Sequence, residues 1–182
     1  MELLDLIELR QSDRKYIKRE VEEEKLLRCL EAGRMAPSAS NSQPWTFIVV
    51  NEKGLREKVA RASYGPLKTF NMFVPQASVI IAIVQEKKKI LTEIGGRIKD
   101  KDYALIDIGI AAENICLQAA ELGLGTCMLG WFDEKKVKAL LNVPENKNIP
   151  LLITMGYTPD GYLHRKKIRK SFYKVVKFNT YK

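Results

Sequence analysis

Histidine is nearly absent from this chain: His164 is the single one among 182 residues. That scarcity excludes a multi-histidine metal centre, so no metal is expected. Any Ser-His-Asp or Cys-His nucleophile would depend on a residue set in a charged tail. Cysteine is also sparse. Cys29, Cys116 and Cys127 are odd in number and form no C-x-x-C pair, which suits reduced, buried thiols. No apolar run approaches the roughly 18 residues of a membrane helix. The opening MELLDLIELR carries Glu2 and Asp5 before any basic residue, unlike a secretory or transit signal, so a cytoplasmic location without a membrane partner is expected. No G-x-G-x-x-G follows the first strand, and there are no internal repeats.

What is present fits one domain over 1–182, with 46% hydrophobic and 29% charged residues, the balance of a globular protein. The net charge of +9 raises the question of a polyanionic partner. Many lysines, however, sit beside glutamates (EEEK, DEKK, EKKK), and no zinc-finger, RNP or basic-zipper pattern appears. Nucleic acid is not the expected partner.

Periodicity predicts a first helix through Leu3, Leu4, Leu6, Ile7 and Leu9, ending near Arg10. A second begins at Glu22–Glu24, with Leu26, Leu27, Leu30 and Met35 as its apolar face. A strand over Trp45–Val50 stops at an Asn51–Gly54 turn, followed by a short helix over Leu55–Ala62 and a Tyr64–Gly65–Pro66 break. Ala77–Val84 reads as a strand buried on both faces. The charged Gln85–Asp102 stretch reads as an excursion. A long alanine-rich helix over Tyr103–Leu122 should stop at Gly123. Thr126–Phe132 is strand or extended loop, and Asp133 should cap a helix over Glu134–Leu141. Pro150–Tyr157 is another strand. The tail Lys174–Tyr181 alternates apolar and polar residues, which predicts a strand with one buried face. Alternation of helices and strands alone would suggest a doubly wound parallel sheet.

Four blocks carry the functional reading. Residues 36–47 read APSASNSQPWTF. Pro37 and Pro44 force a loop there, whose short side chains should leave backbone N–H groups open to a flat polar ligand. Residues 10–14 read RQSDR, with Arg10, Ser12 and Arg14 alternating. GLGTCMLGWFDEKKVKALLNVPE begins at Gly123, and KKIRK at Lys166.

In order and spacing these blocks resemble the flavin-dependent nitroreductase family over nearly the whole chain. The resemblance implies an α+β fold, a mixed β-sheet flanked by helices. It also implies an intertwined homodimer, with a C-terminal arm (170–182) reaching the partner. FMN would be the cofactor and NAD(P)H the hydride donor. An electron-poor nitroaromatic, quinone or similar small molecule would be reduced by ping-pong transfer through FMN, with no obligatory catalytic side chain. Arg10, Ser12 and Arg14 would hold the phosphate, a chemistry guanidinium suits, with Lys167 and Arg169 as a second grip. Pro37, Ser38, Ala39, Asn41 and Gln43 would reach the same flavin from the other subunit. Met128, Leu129 and Gly130 would pack on the ring, with the Gly130 N–H near the hydride-accepting nitrogen. Asn71 is a further ring-contact candidate, and Glu86–Asp102 is short where larger members carry a lid. The alternative is a flavin- or nucleotide-binding protein without turnover.

Overall fold

The computed structural model describes residues 2–64, 70–86 and 102–181. Along the chain lie α1 (Leu3–Leu9), α2 (Glu23–Arg34), β1 (Trp45–Val50), α3 (Lys53–Ala62), β2 (Val79–Gln85) and α4 (Tyr103–Glu121). Then follow β3 (Gly125–Leu129), α5 (Glu134–Leu141), β4 (Asn148–Gly156) and the one-turn α6 (Phe172–Val175). The strands form one sheet in the order β1-β2-β4-β3. Every pairing between them is antiparallel. Among the described residues, parallel pairing enters at a single bridge, Ser12 to Thr126. The architecture is α+β, not the doubly wound parallel sheet that alternation alone would suggest.

β2 sits inside the sheet because nothing in its first six residues, VIIAIV, resists burial on both faces. Val79, Ile81 and Ile83 face one hydrophobic cluster, with Leu26 and Cys29 of α2 and Ala111, Ala112 and Ile115 of α4. Ile80, Ala82 and Val84 alternate to the other cluster, with Val59 of α3 and Val137 of α5. Helices therefore cover both faces of the sheet.

The helix ends follow their local chemistry. Gly123 adopts φ +74, its N–H reaches Ala120 O at 3.1 Å, and Leu124 N reaches Ala119 O at 2.8 Å. This is a Schellman stop, which the left-handed glycine permits. Asp133 caps α5 by accepting from Lys136 N at 3.1 Å. The turn after β1 is shorter than expected: α3 begins at Lys53, because Glu52 already accepts from Gly54 N and Leu55 N at 2.7 and 2.6 Å.

Two expectations need correction. Leu27 and Met35 are 56% and 66% exposed, so the inner face of α2 is Leu26, Cys29 and Gly33. α2 and α4 approach too closely for a wider face: a Cβ on Gly33 would sit 2.6 Å from Ile115, and Asn114 Nδ2 donates to Ala32 O at 3.2 Å. The tail, secondly, is not a strand. Phe172–Val175 is helical, nothing in 176–181 joins a ladder, and Phe172, Tyr173, Val175, Phe178 and Tyr181 stand exposed. A terminal strand needs an edge to pair with, and the tail forms no pairing with its own sheet. All three cysteines are free and buried. The excursion expected over Gln85–Asp102, and the break at Gly65–Pro66, lie mostly outside the described residues.

Candidate functional site

The R-x-S-x-R segment is held by its intervening residues. Asp13 N donates to Thr126 O at 2.7 Å, and Thr126 N donates back to Asp13 Oδ2 at 3.2 Å. Residues 11–13 therefore lie extended along β3, and successive side chains point to opposite sides. Gln11 and Asp13 are buried, while Arg14 is exposed and Ser12 half-buried. Gly125 is required beneath them, since a Cβ there would sit 2.8 Å from Asp13 Oδ2. Burial raises the Asp13 pKa, and the Thr126 N–H, Gln11, His164 and Arg165 oppose that rise. The Tyr16 hydroxyl secures the same stretch by donating to Asp13 O at 2.9 Å. Behind it lies a cavity of about 100 Å³, lined in part by Gln11, Asp13, Thr126, Thr158 and His164.

The basic tail folds back over this segment. Arg165 N donates to Gln11 Oε1 at 3.1 Å, the Arg165 guanidinium to Ser12 O, and Lys167 Nζ to Arg10 O. Arg14 N donates to Tyr162 Oη at 3.3 Å. Arg10 Nε lies 3.0 Å from Glu113 Oε1 on α4. The two predicted cationic blocks, 156 positions apart in their middle members, thus meet in space. Their charge is incompletely balanced. The Lys167 ammonium has a lowered pKa, first through burial and then through repulsion by Arg10 and Arg169, with Glu113 and Glu8 pulling the other way. Arg169 itself donates to the neighbouring Ile168 O at 2.9 Å. Arg165 joins this group through Gln11 and Ser12 without standing out in the sequence. Its only mark there is its place two residues before Lys167, in the same alternation as Arg10, Ser12 and Arg14.

Cys127 on β3 faces the same group: burial raises its thiol pKa, opposed by Arg14 and Ser12 beside it. Past it, Met128 is half-buried, Leu129 buried and Gly130 exposed. A Cβ at Gly130 would meet nothing within 4 Å, so this backbone is open to an approaching ligand. The loop that follows is pinned to the end of α3. Asp133 N donates to Ala62 O at 2.8 Å. Asn71 Nδ2 donates to both Ser63 O at 3.0 Å and Trp131 O at 2.9 Å. Asn71, left-handed at φ 63, is therefore a staple whose amide nitrogen two protein carbonyls already engage. Asn71→Ala should lower stability by about 1–2 kcal/mol, a melting shift of about 2–8 °C for a chain this size. An unchanged melting temperature would show that the staple contributes nothing.

The loop after α2 is built differently from its expectation. Four of its backbone N–H groups are already engaged within the protein. Ala39 N donates to Asp107 Oδ1 and Oδ2, both at 3.2 Å. Asn41 N reaches Ser38 O at 3.0 Å, Ser42 N reaches Ala39 O at 3.1 Å, and Gln43 N reaches Ser38 Oγ at 2.9 Å. Short hydroxyl side chains beside a chain reversal close on the backbone itself. What the loop offers outward is side chains: Gln43 Nε2 donates to Asn41 Oδ1 at 2.9 Å, coupling the two amides. Pro37 leads in, and Ser38, Ala39, Asn41 and Gln43 all lie on this loop. The loop takes its anchor from α4 and from itself, whereas the cationic group takes its anchors from β3, from the tail and from Glu113 further along α4. The anchors Asp107 and Glu113 are six residues apart on α4, about 9 Å along its axis and well round its circumference. Of the expected lid, only its ends are described: Glu86 pairs with Lys147 Nζ at 2.7 Å.

Among the described residues no helix is long and apolar enough to cross a membrane, and no group of three or more His, Cys, Asp or Glu could hold a metal ion.

The model of the nitroreductase family matches residues 7–157. A protein of Archaeoglobus fulgidus, provisionally named NADH dehydrogenase/NAD(P)H nitroreductase, is 35% identical over 163 residues, 87% of each chain. The solved FMN-dependent nitroreductase of Clostridium difficile R20291 is 30% identical, with a TM-score of 0.78 over 98% of this chain and 100% of that one. A nitroreductase family protein from Clostridium novyi NT is 31% identical, with a TM-score of 0.77 over 88% of this chain and 87% of the other.

Proposed function

This chain belongs to the nitroreductase family, and from that premise we propose that it is an FMN-dependent NAD(P)H oxidoreductase reducing an electron-poor small acceptor. The observation that carries the reading is the cationic group of Arg10, Arg14, Lys167 and Arg169. Burial first, and then repulsion by Arg10 and Arg169, lower the Lys167 pKa, and a dianionic phosphate placed there would relieve the repulsive part. Arg10 and Arg14 would grip the phosphate, with the Ser12 hydroxyl between them. Lys167, Arg165 and Arg169 would close over it from the tail. The residues present fit FMN.

Bound FMN would supply the redox chemistry, taking hydride from NAD(P)H and passing electrons to the acceptor. The chain's own part is to hold and to shape. Gly130, with open space around it, would let the ring lie against backbone and would direct its N–H to the ring edge. Met128 and Leu129 would pack beside it. Donor and acceptor would use the one open face in turn, a ping-pong scheme. No side chain need hold a catalytic proton, since solvent would supply the protons that the reduced acceptor takes up. The loop 38–43 would come from the second copy, giving a homodimer with two sites.

The test is a spectrum. Purified protein should be yellow or should take up added FMN, and anaerobic NADH or NADPH should bleach it rapidly. Folded protein that ignores FMN at high micromolar concentration would refute the reading. Binding without bleaching would leave a flavin-holding protein without turnover.

A further inference from the structure

We infer that Asp107 is a positioning residue, which fixes the loop 38–43 from within α4 in the shape that meets the flavin ring. The inference rests on the flavin reading above. Asp107 is 4% exposed, and both its oxygens lie 3.2 Å from Ala39 N. Three non-glycine residues follow in left-handed conformation: Ser40 at φ 53, Asn41 at φ 49 and Gln43 at φ 47. Such residues are uncommon singly, and a cluster of them persists only where surrounding structure imposes it. A connector between a helix and a strand needs no such cluster. A merely structural closure needs no buried carboxylate either, because Ser38 already closes the loop on itself through Gln43 N and Asn41 N. Burying a carboxylate is unfavourable unless its bonds are strong. The Asp107 bond comes at Ala39, the entry to the left-handed run, where it sets the direction in which the coupled Asn41 and Gln43 amides are presented. A loop shaped before its ligand arrives loses less freedom on binding.

Asp107→Asn and Asp107→Ala, in the full-length protein, test this with two measurements. Amide hydrogen exchange without flavin should quicken at residues 39–43 in both variants, more in the alanine. The Kd values for FMN and for riboflavin should rise by the same factor, about ten- to hundredfold for alanine, with asparagine between. The matched factor is expected because the loop serves the ring end, which both ligands share. Faster exchange with unchanged Kd would mean a structural role only. Unchanged exchange would mean that Asp107 does not hold the loop. A loss confined to FMN would move the loop to the phosphate and overturn the assignment. Should the alanine variant not fold, asparagine decides, since it keeps the shape and one acceptor. A wild type that binds neither flavin brings down the functional reading and this inference with it. A wild type that binds both, with variants equally tight, brings down this inference alone.

Discussion

Deleting Phe172–Lys182 should yield a monomer that no longer retains FMN. The tail has no place in its own subunit: α6 has no buried residue, and exposure runs from 60% at Phe172 to 94% at Tyr181. In the homodimer proposed above, side chains this apolar, this close together and this exposed would be covered by the other copy. Leu105 and Ile106 on α4, and Leu3 and Leu4 on α1, are exposed as well. The cut falls beyond Arg165, Lys167 and Arg169, so the truncated chain keeps its cations. Lost flavin would therefore report the lost partner and its loop, not a lost phosphate grip. Two or more hydrogen bonds and the stacking contacts would go together, at least about a hundredfold in affinity. Light scattering and the absorbance of the dialysed protein check it. A truncated chain that stays dimeric and yellow would show that the tail does not bridge subunits.

Arg10→Ala should raise the Kd for FMN about ten- to hundredfold, the equivalent of losing a charged hydrogen bond of about 1.5–3 kcal/mol. Arg34→Ala should change it by less than about twofold, in keeping with the small energies of surface ion pairs. The two arginines differ in setting. The Arg10 side chain is 24% exposed beside Glu113 and contributes to the repulsion felt by Lys167. Arg34 is 60% exposed and already paired with Glu31 at 2.7 Å. Riboflavin, lacking the phosphate, should bind Arg10→Ala as it binds wild type. Equal FMN dissociation constants for the two variants would make the alternating cations a surface feature.

Local chemistry was legible wherever a residue acts on its near neighbours. The β1 limits, the Gly123 stop, the Asp133 cap and the double-sided burial of β2 all follow from a few adjacent positions. The alternation of Arg10, Ser12 and Arg14 marked the cationic segment, and KKIRK marked its counterpart. Information carried by distant partners was not legible. Nothing in α2 says that Ile115, 82 residues after Gly33, leaves no room for a side chain on Gly33. Alternating helices and strands do not disclose antiparallel pairing. Asp13 and Asp107 look like ordinary surface acids until β3 and Ala39 are brought to them. The same holds for the loop at 38–43, whose prolines announced an irregular segment but not that Ser38 and Asp107 would occupy its amides. The tail misled because alternation signals a strand only where an edge is available.

The strand order has a consequence in time. β4, the last strand synthesised, lies between β2 and β3, with Met155 opposite Val79. Until residues 148–156 emerge, β2 can pair only with β1, and β3 has no strand to join. A strand with six consecutive apolar residues thus waits with one edge open while the next 62 residues are made. Such an edge is a template for another chain, and closure across so long a separation is slow beside local folding. The nascent chain is at its most vulnerable to association just before β4 appears, and the sheet is completed from its middle.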